Sequence, residues 1–232
     1  MDLQNNEPSW AKRVDALIVL ARGVPAWSRT LGRWAYCIAC LGKNGEWYRL
    51  YPVPLENGER TIHPFDIIKP FIVKKRDNGR PESCRISPWV IWKAGVIQNS
   101  ERQHILEKTK EPGSFLHDNS WRNKTLGLIQ PKSLQFAVGR AAIVNYFCDY
   151  PKCEGHSSTF FDAFQIEEHR RKLITSAEEL ESMLSHLKKD KLWFIVGTVR
   201  KHPQRWIIVE ALVGFGETVA SLQSWLISQT RV

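Results

Sequence analysis

The sequence predicts a mainly β chain of the α+β class with a few short helices. Three observations carry this expectation. Short runs of β-branched, aromatic and aliphatic residues recur along the chain, separated by Gly, Pro and polar turns. Two such runs flank Asn44-Gly45, the pair that favours a tight hairpin turn. Only 177–189 has a plain helical period: Ala177, Leu180, Met183, Leu184 and Leu187 share one face, behind a Ser176–Glu179 capping box. Many short strands with turn signals and few helices suit small barrels or sandwiches.

Taken in order, 14–21 (VDALIVLA) reads as a buried strand. Residues 33–41 and 46–53 form the hairpin around Asn44-Gly45, and Pro52 and Pro54 end it. Residues 66–74 read as a strand that Pro70 marks as edge or bulged, and 86–97 as its successor. A short helix is expected over 101–110, then strands near 126–130 and 134–147. Helix is expected within 160–174 and over 177–189, strands at 192–199 and 206–213, and a basic turn at 200–205 between them. The tail 217–229 suits either state, and Leu222, Trp225 and Leu226 would face one side of a short helix. No internal repeat or low-complexity tract is evident. Two halves are expected, 1–125 and 126–232, the second with a Cys/His loop and helix 177–189.

The chain has 232 residues, 33 Lys and Arg against 24 Asp and Glu, and a net charge of +9. Ten Trp, ten Phe and five Tyr make it aromatic, which excludes a disordered chain. No apolar run reaches the ~18 residues of a membrane span. The start, MDLQNNEPSW, lacks the basic and apolar blocks of a secretory signal, so a cytoplasmic location is expected. Five Cys without framework spacing fit a reducing compartment, where cysteines serve metals or burial rather than disulfides.

Charge is not spread evenly. Residues 74–85 hold Lys74, Lys75, Arg76, Arg80 and Arg85 against Asp77 and Glu82. The 200–205 turn adds Arg200, Lys201 and Arg205 with no acid. Six of the nine net charges therefore lie in two segments. Cations neutralise phosphate and flat rings stack on bases, so patches of this kind beside aromatic strands favour nucleic acid. Strand alternation puts Trp47, Arg49 and Tyr51 on one face, either a stacking platform for bases or simply core.

Cys148, Cys153 and His156 make a compact Cys-x4-Cys-x2-His with Pro151 and Gly155 shaping the turn. Thiolates and imidazole are the donors of a structural zinc, which takes four. His169 is the expected fourth, with Cys84 as the alternative; a turn with two reduced thiols is the simpler reading. Cys37 and Cys40 are expected in the core. No phosphate-cradling loop, nucleophile elbow, zinc-protease or deaminase motif is present. An enzymatic alternative, a nuclease or a nucleotide transferase, would draw on Arg80, Glu82, Ser83 and Asp162.

Four stretches, in order, resemble the dual OB-containing domain family of prokaryotic mobile elements and defence gene clusters. They are 47–54 (WYRLYPVP), 80–83 (RPES), 153–156 (CEGH) with Asp162 behind it, and 194–198 (FIVGT) with Pro203 and 206–208 (WII). The resemblance implies two OB-like barrels in one chain and nucleic acid as the ligand class. It also implies an Asp-Trp-Glu element after the Gly-His, where this chain has Asp162-Ala163-Phe164. The expected function is thus an accessory or sensor protein that binds DNA or RNA in a prokaryotic defence system, with a structural zinc as its candidate cofactor. A protein–protein adaptor within a defence complex is a further alternative.

Overall fold

A computed structural model describes residues 12–13, 15–23, 26–54, 62–75, 80–117, 123–138, 142–148, 150–159, 191–199, 202–215 and 218–221. The expected helices within 160–174 and over 177–189 lie outside these residues, as do Asp162 and His169. The chain divides into two compact units, Met1–Ile97 and Gln98–Val232. The division falls earlier in the chain than residue 125.

The first unit holds β1 (Lys12–Arg13), β2 (Leu17–Arg22), β3 (Ala26–Ser28), β4 (Arg33–Leu41), β5 (Trp47–Pro54), β6 (Asp66–Lys75) and β7 (Ser83–Val96). Five of these strands close into a ring in the order β2-β4-β5-β7-β6, and β6 returns to β2. All pairs are antiparallel except β5 with β7. A parallel contact between the third and fifth barrel strands makes this a Greek-key barrel of the OB-like kind. β1 adds to β6, and β3 adds to the start of β4.

Alternation along the strands explains the filling of the barrel. Leu17 and Val19 of β2, Tyr36, Ile38 and Cys40 of β4, and Leu50 and Val53 of β5 meet Ile68, Cys84 and Ile86. The Asn44-Gly45 hairpin forms as expected, with Leu41 opposite Trp47 and a bulge between Tyr36 and Ile38. Pro70 sits on β6 beside a second bulge, where the ladder requires no donor from it. Cys40 is buried, as expected, and Cys37 is half-buried. At the far end of the barrel, Lys93 pairs with the buried Asp66 at 2.8 Å.

The second unit holds α1 (Asn99–Thr109), a 3-10 turn (Gly113–Leu116), β8 (Leu126–Ile129), β9 (Ser133–Val138), β10 (Ala142–Phe147), β11 (His156–Thr159), β12 (Leu192–Val199), β13 (His202–Phe215) and β14 (Thr218–Ser221). They form two sheets, β11-β10-β9 and β14-β13-β12-β8. The single strand expected over 134–147 is a hairpin of β9 and β10, with Val138 opposite Ala142. The expected 200–205 turn is shorter: Val199 already pairs with His202, and Pro203 and Arg205 belong to β13. A break in register between Thr198 and Val199 absorbs the extra residues, and this leaves Pro203 without a ladder bond to supply. The start of the ambiguous tail is strand β14. Leu126, Leu128, Trp193, Phe194, Ile195 and Leu212 of the four-stranded sheet are buried. Among the described residues no helix is long and apolar enough to cross a membrane.

Candidate metal centre and nucleic-acid surface

The second unit brings four donor side chains together from two segments far apart in sequence. The first segment is the 3-10 turn. Its Phe115 is buried and packs on the Trp206 ring, with centroids 4.7 Å apart. The same ring lies over Gly127 of β8, where a Cβ would stand 2.7 Å from Phe115 Cζ and nearer still to Cε1. Lys124 pairs with Glu111, and the Glu111 N–H donates to the Leu128 carbonyl at 2.7 Å, which ties the flanks of the turn to β8. Thus anchored, the turn ends at His117, whose N–H donates to the Ser114 carbonyl at 2.9 Å.

The second segment runs from β10 to β11. Tyr146 and Cys148 are buried at the end of β10. A turn then closes as the Cys153 N–H donates to the Tyr150 carbonyl at 3.0 Å. Gly155 follows with φ 101°, a backbone region that glycine occupies without steric cost. A Cβ there would also meet the Phe147 ring at 3.0 Å. β11 then opens at His156, directly opposite Tyr146. The Tyr146 ring stacks on His156 at 5.1 Å, and the Tyr150 ring stacks on His117 at 4.4 Å. Both imidazoles are therefore oriented by aromatic neighbours, and they converge on the two thiols.

The donor atoms of His117, Cys148, Cys153 and His156 all lie within 4.8 Å of one another. His117 Nε2 is 3.2 Å from Cys148 Sγ and 3.2 Å from His156 Nε2, and Cys148 Sγ is 3.7 Å from His156 Nε2. Tetrahedral zinc, with bonds of about 2.3 Å to S and about 2.05 Å to N, puts its donors about 3.3 Å (N to N) and about 3.6 Å (S to N) apart. The cluster can hold a metal ion: the His117–His156 and Cys148–His156 spacings lie near this geometry, and a tetrahedral site would draw the most distant of the four donors inward. Burial pushes the Cys148 thiol up to about 11, and Cys153 adds to the effect. Burial, with His117 beside it, pulls His156 down to about 4, so its imidazole is neutral and free to ligate at pH 7.

Cys148, Cys153 and His156 thus assemble as their spacing suggests. The expected alternative Cys84 does not join them: it is 5% exposed in the barrel core beside Cys40. The fourth donor among the described residues is His117, 31 positions before Cys148, where local spacing carries no signal.

The expected stacking platform is closed. Trp47 and Arg49 are only 6% and 8% exposed, and the Arg49 backbone is bonded to the Glu82 carbonyl at 2.8 Å. They face outward from the barrel core, as alternation requires, but that face is covered and offers no open ring to a base. Tyr51 is half-buried, opposite Arg85. Glu82 and Ser83, candidates for catalysis, are only 8% and 3% exposed. Lys74 and Lys75 end β6, opposite Arg85 and Cys84. Arg80 is half-buried and its carbonyl accepts from the Ser83 N–H at 3.0 Å. Arg85 is exposed. Arg76, Arg200 and Lys201 lie outside the described residues. The residues that the alternation pattern passed over are Trp27 of β3 and Trp34 at the start of β4, both more than half exposed. Their exposure left no mark on the sequence, where they read like the other tryptophans.

A family model described as a domain of unknown function (DUF8758) matches residues 13–108, which span the barrel strands and most of α1. No curated protein matches the chain. Among solved structures, the chain is similar to a murine DNA-binding protein bound with double-stranded DNA. That match has 6% identity and a TM-score of 0.35, and covers 90% of this chain and 92% of the other. It is also similar to a chain solved for the molecular basis for abrogation of activation of pro-inflammatory cytokines. There the identity is 11% and the TM-score 0.34, over 94% of this chain and 93% of the other. Neither likeness bears on function.

Proposed function

We propose that the protein binds nucleic acid through its OB-like barrel and carries a structural zinc ion in its second unit. The observation that supports the first part best is the setting of the cationic segment 74–85. It connects β6 to β7, the last two strands of a closed five-stranded barrel, and this connection is one that OB-type barrels use to grip oligonucleotides. Lys74, Lys75, Arg76 and Arg80 would contact phosphate there. Arg205, on β13 rather than in a turn, is a separate candidate. Burial of Glu82 and Ser83 favours binding over the enzymatic alternative. The accessory or sensor role in prokaryotic defence, implied by the family resemblance, belongs to the same proposal; so do a protein partner and a second barrel.

The test is a salt titration of binding to labelled DNA and RNA. On a single strand, affinity falls by about 0.7 log units per log unit of salt for each phosphate contacted. Arg76→Ala with Arg80→Ala should reduce that slope by about 1.4. Absence of binding at low salt, or an unchanged slope in the double variant, overturns this reading. For zinc, elemental analysis should find one equivalent per chain, and its absence ends that part.

A further inference from the structure

We infer that Trp27 and Trp34 form an aromatic clamp for unpaired bases, and that the nucleic acid bound is therefore single-stranded. The inference rests on the nucleic-acid reading above and narrows it to one class of ligand.

Trp27 and Trp34 are 57% and 53% exposed, among the largest apolar surfaces the described residues leave in water. They are not loose. Trp27 of β3 is paired directly across from Trp34 of β4, between the pairs Ala26–Ala35 and Ser28–Arg33. Ser28 is buried, and its carbonyl accepts from the N–H groups of Leu31 and Gly32 at 3.1 and 2.8 Å. This short hairpin is the connection between β2 and β4, the first two barrel strands, and Ala35 continues it into the barrel as a buried residue.

The rings meet edge to face, with centroids 6.2 Å apart and planes at 87°. In this arrangement the edge of one ring meets the face of the other, so at least one flat π-face remains for a base. A base in a duplex has both faces already stacked and offers none except at an end. The surroundings select a polyanion over an apolar protein surface. No acidic residue occurs between Asp15 and Glu46, whereas Arg22, Arg29, Arg33 and Lys43 do. Arg29 and Arg33 are exposed on the hairpin itself, and Arg22 lies over the Tyr36 ring at 5.9 Å. Phosphates would meet the arginines while successive bases stack on the tryptophans.

The experiment measures fluorescence anisotropy of labelled dT20, U20 and a 20-base-pair duplex of mixed sequence at one low salt concentration. Wild type is compared with Trp27→Ala, Trp34→Ala and Trp34→Tyr. Both tryptophans are exposed, so thermal melting should show each variant folded as wild type. Each Ala variant should weaken single-strand binding by roughly 5- to 150-fold, the range of a lost base–aromatic stack. Duplex binding should change by less than about twofold, and Trp34→Tyr should recover most of the single-strand loss. The dT20 and U20 arms separate DNA from RNA. If wild type binds none of the three, the nucleic-acid reading fails and the clamp with it. If wild type binds but the Ala variants bind equally well, the clamp alone is refuted. If duplex binding falls as much as single-strand binding, the pair is not selective for unpaired bases.

Discussion

Replacement of Gly127 by Ala tests how the metal cluster is assembled, because Gly127 lies outside the cluster itself. The added Cβ would stand 2.7 Å from Phe115 Cζ and 3.1 Å from Cδ1. Carbon atoms in ordinary contact sit about 3.5–4.0 Å apart, so the ring must retreat by about 1 Å. Its retreat is obstructed by Trp206, 4.7 Å away between centroids. Overpacking of a buried ring costs about 2 kcal/mol. For a chain of 232 residues that is a fall in Tm of about 4–8 °C. Phe115 and His117 share one turn, so the displacement should also pull His117 away from the thiols and speed metal loss to a chelator. The assay combines thermal melting with the rate of zinc transfer to a chromogenic chelator. In a Phe115→Leu background, which lacks the ring, the same Ala substitution should cost at least about 1 kcal/mol less. If Gly127→Ala melts within 1 °C of wild type and keeps its metal equally long, Phe115 is not seated on β8 and does not position His117.

Other outcomes follow from the same geometry. His117→Ala and Cys148→Ser should each abolish equimolar zinc by elemental analysis, while His169→Ala should retain it. Zinc affinity should rise with pH: Cys148 holds its proton up to about 11, yet must ligate as thiolate, so binding expels that proton. Its contribution is about tenfold in affinity per pH unit between pH 6 and 8, measured by competition with a chelator of known pH dependence; a flat profile contradicts it. His156, neutral down to about pH 4, adds no further slope in that window. Gly155→Ala forces a side chain into a φ of 101° and against Phe147, and should destabilise the turn by about 1–3 kcal/mol. A weaker grip on zinc, read by the same competition, should accompany it.

Local signals in the chain were legible because local physics decides them. Asn44-Gly45 specified the β4–β5 hairpin, and strand spacing within it sent Cys40 to the core. Cys148, Cys153 and His156 stand on one turn, so their spacing was informative. His117 was not legible, since a ring seated on Gly127, remote in sequence, delivers it to the site. Alternation put Trp47 and Arg49 on one face and left open whether it was a platform or core; both are buried, because what covers a face is not written in its alternation. The same limit hid Trp27 and Trp34, whose exposure depends on β3 extending the hairpin beyond the covered part of β4. Pro203 read as a turn residue because the register break that accommodates it in β13 has no residue signature.

The ring of β2, β4, β5, β7 and β6 has a consequence for the kind of partner this unit can recruit. Each of the five strands is hydrogen-bonded to a neighbour on both sides within the ring. Where those pairings run, no row of idle amides is left for another chain to zip onto, and beyond them β6 and β4 carry β1 and β3. The same closure guards against edge-to-edge aggregation, which an aromatic, strand-rich chain would otherwise invite. Recognition along the closed part of the barrel then falls to side chains on its connections, and sequence change in those connections can alter what is bound without disturbing the ladder that holds them.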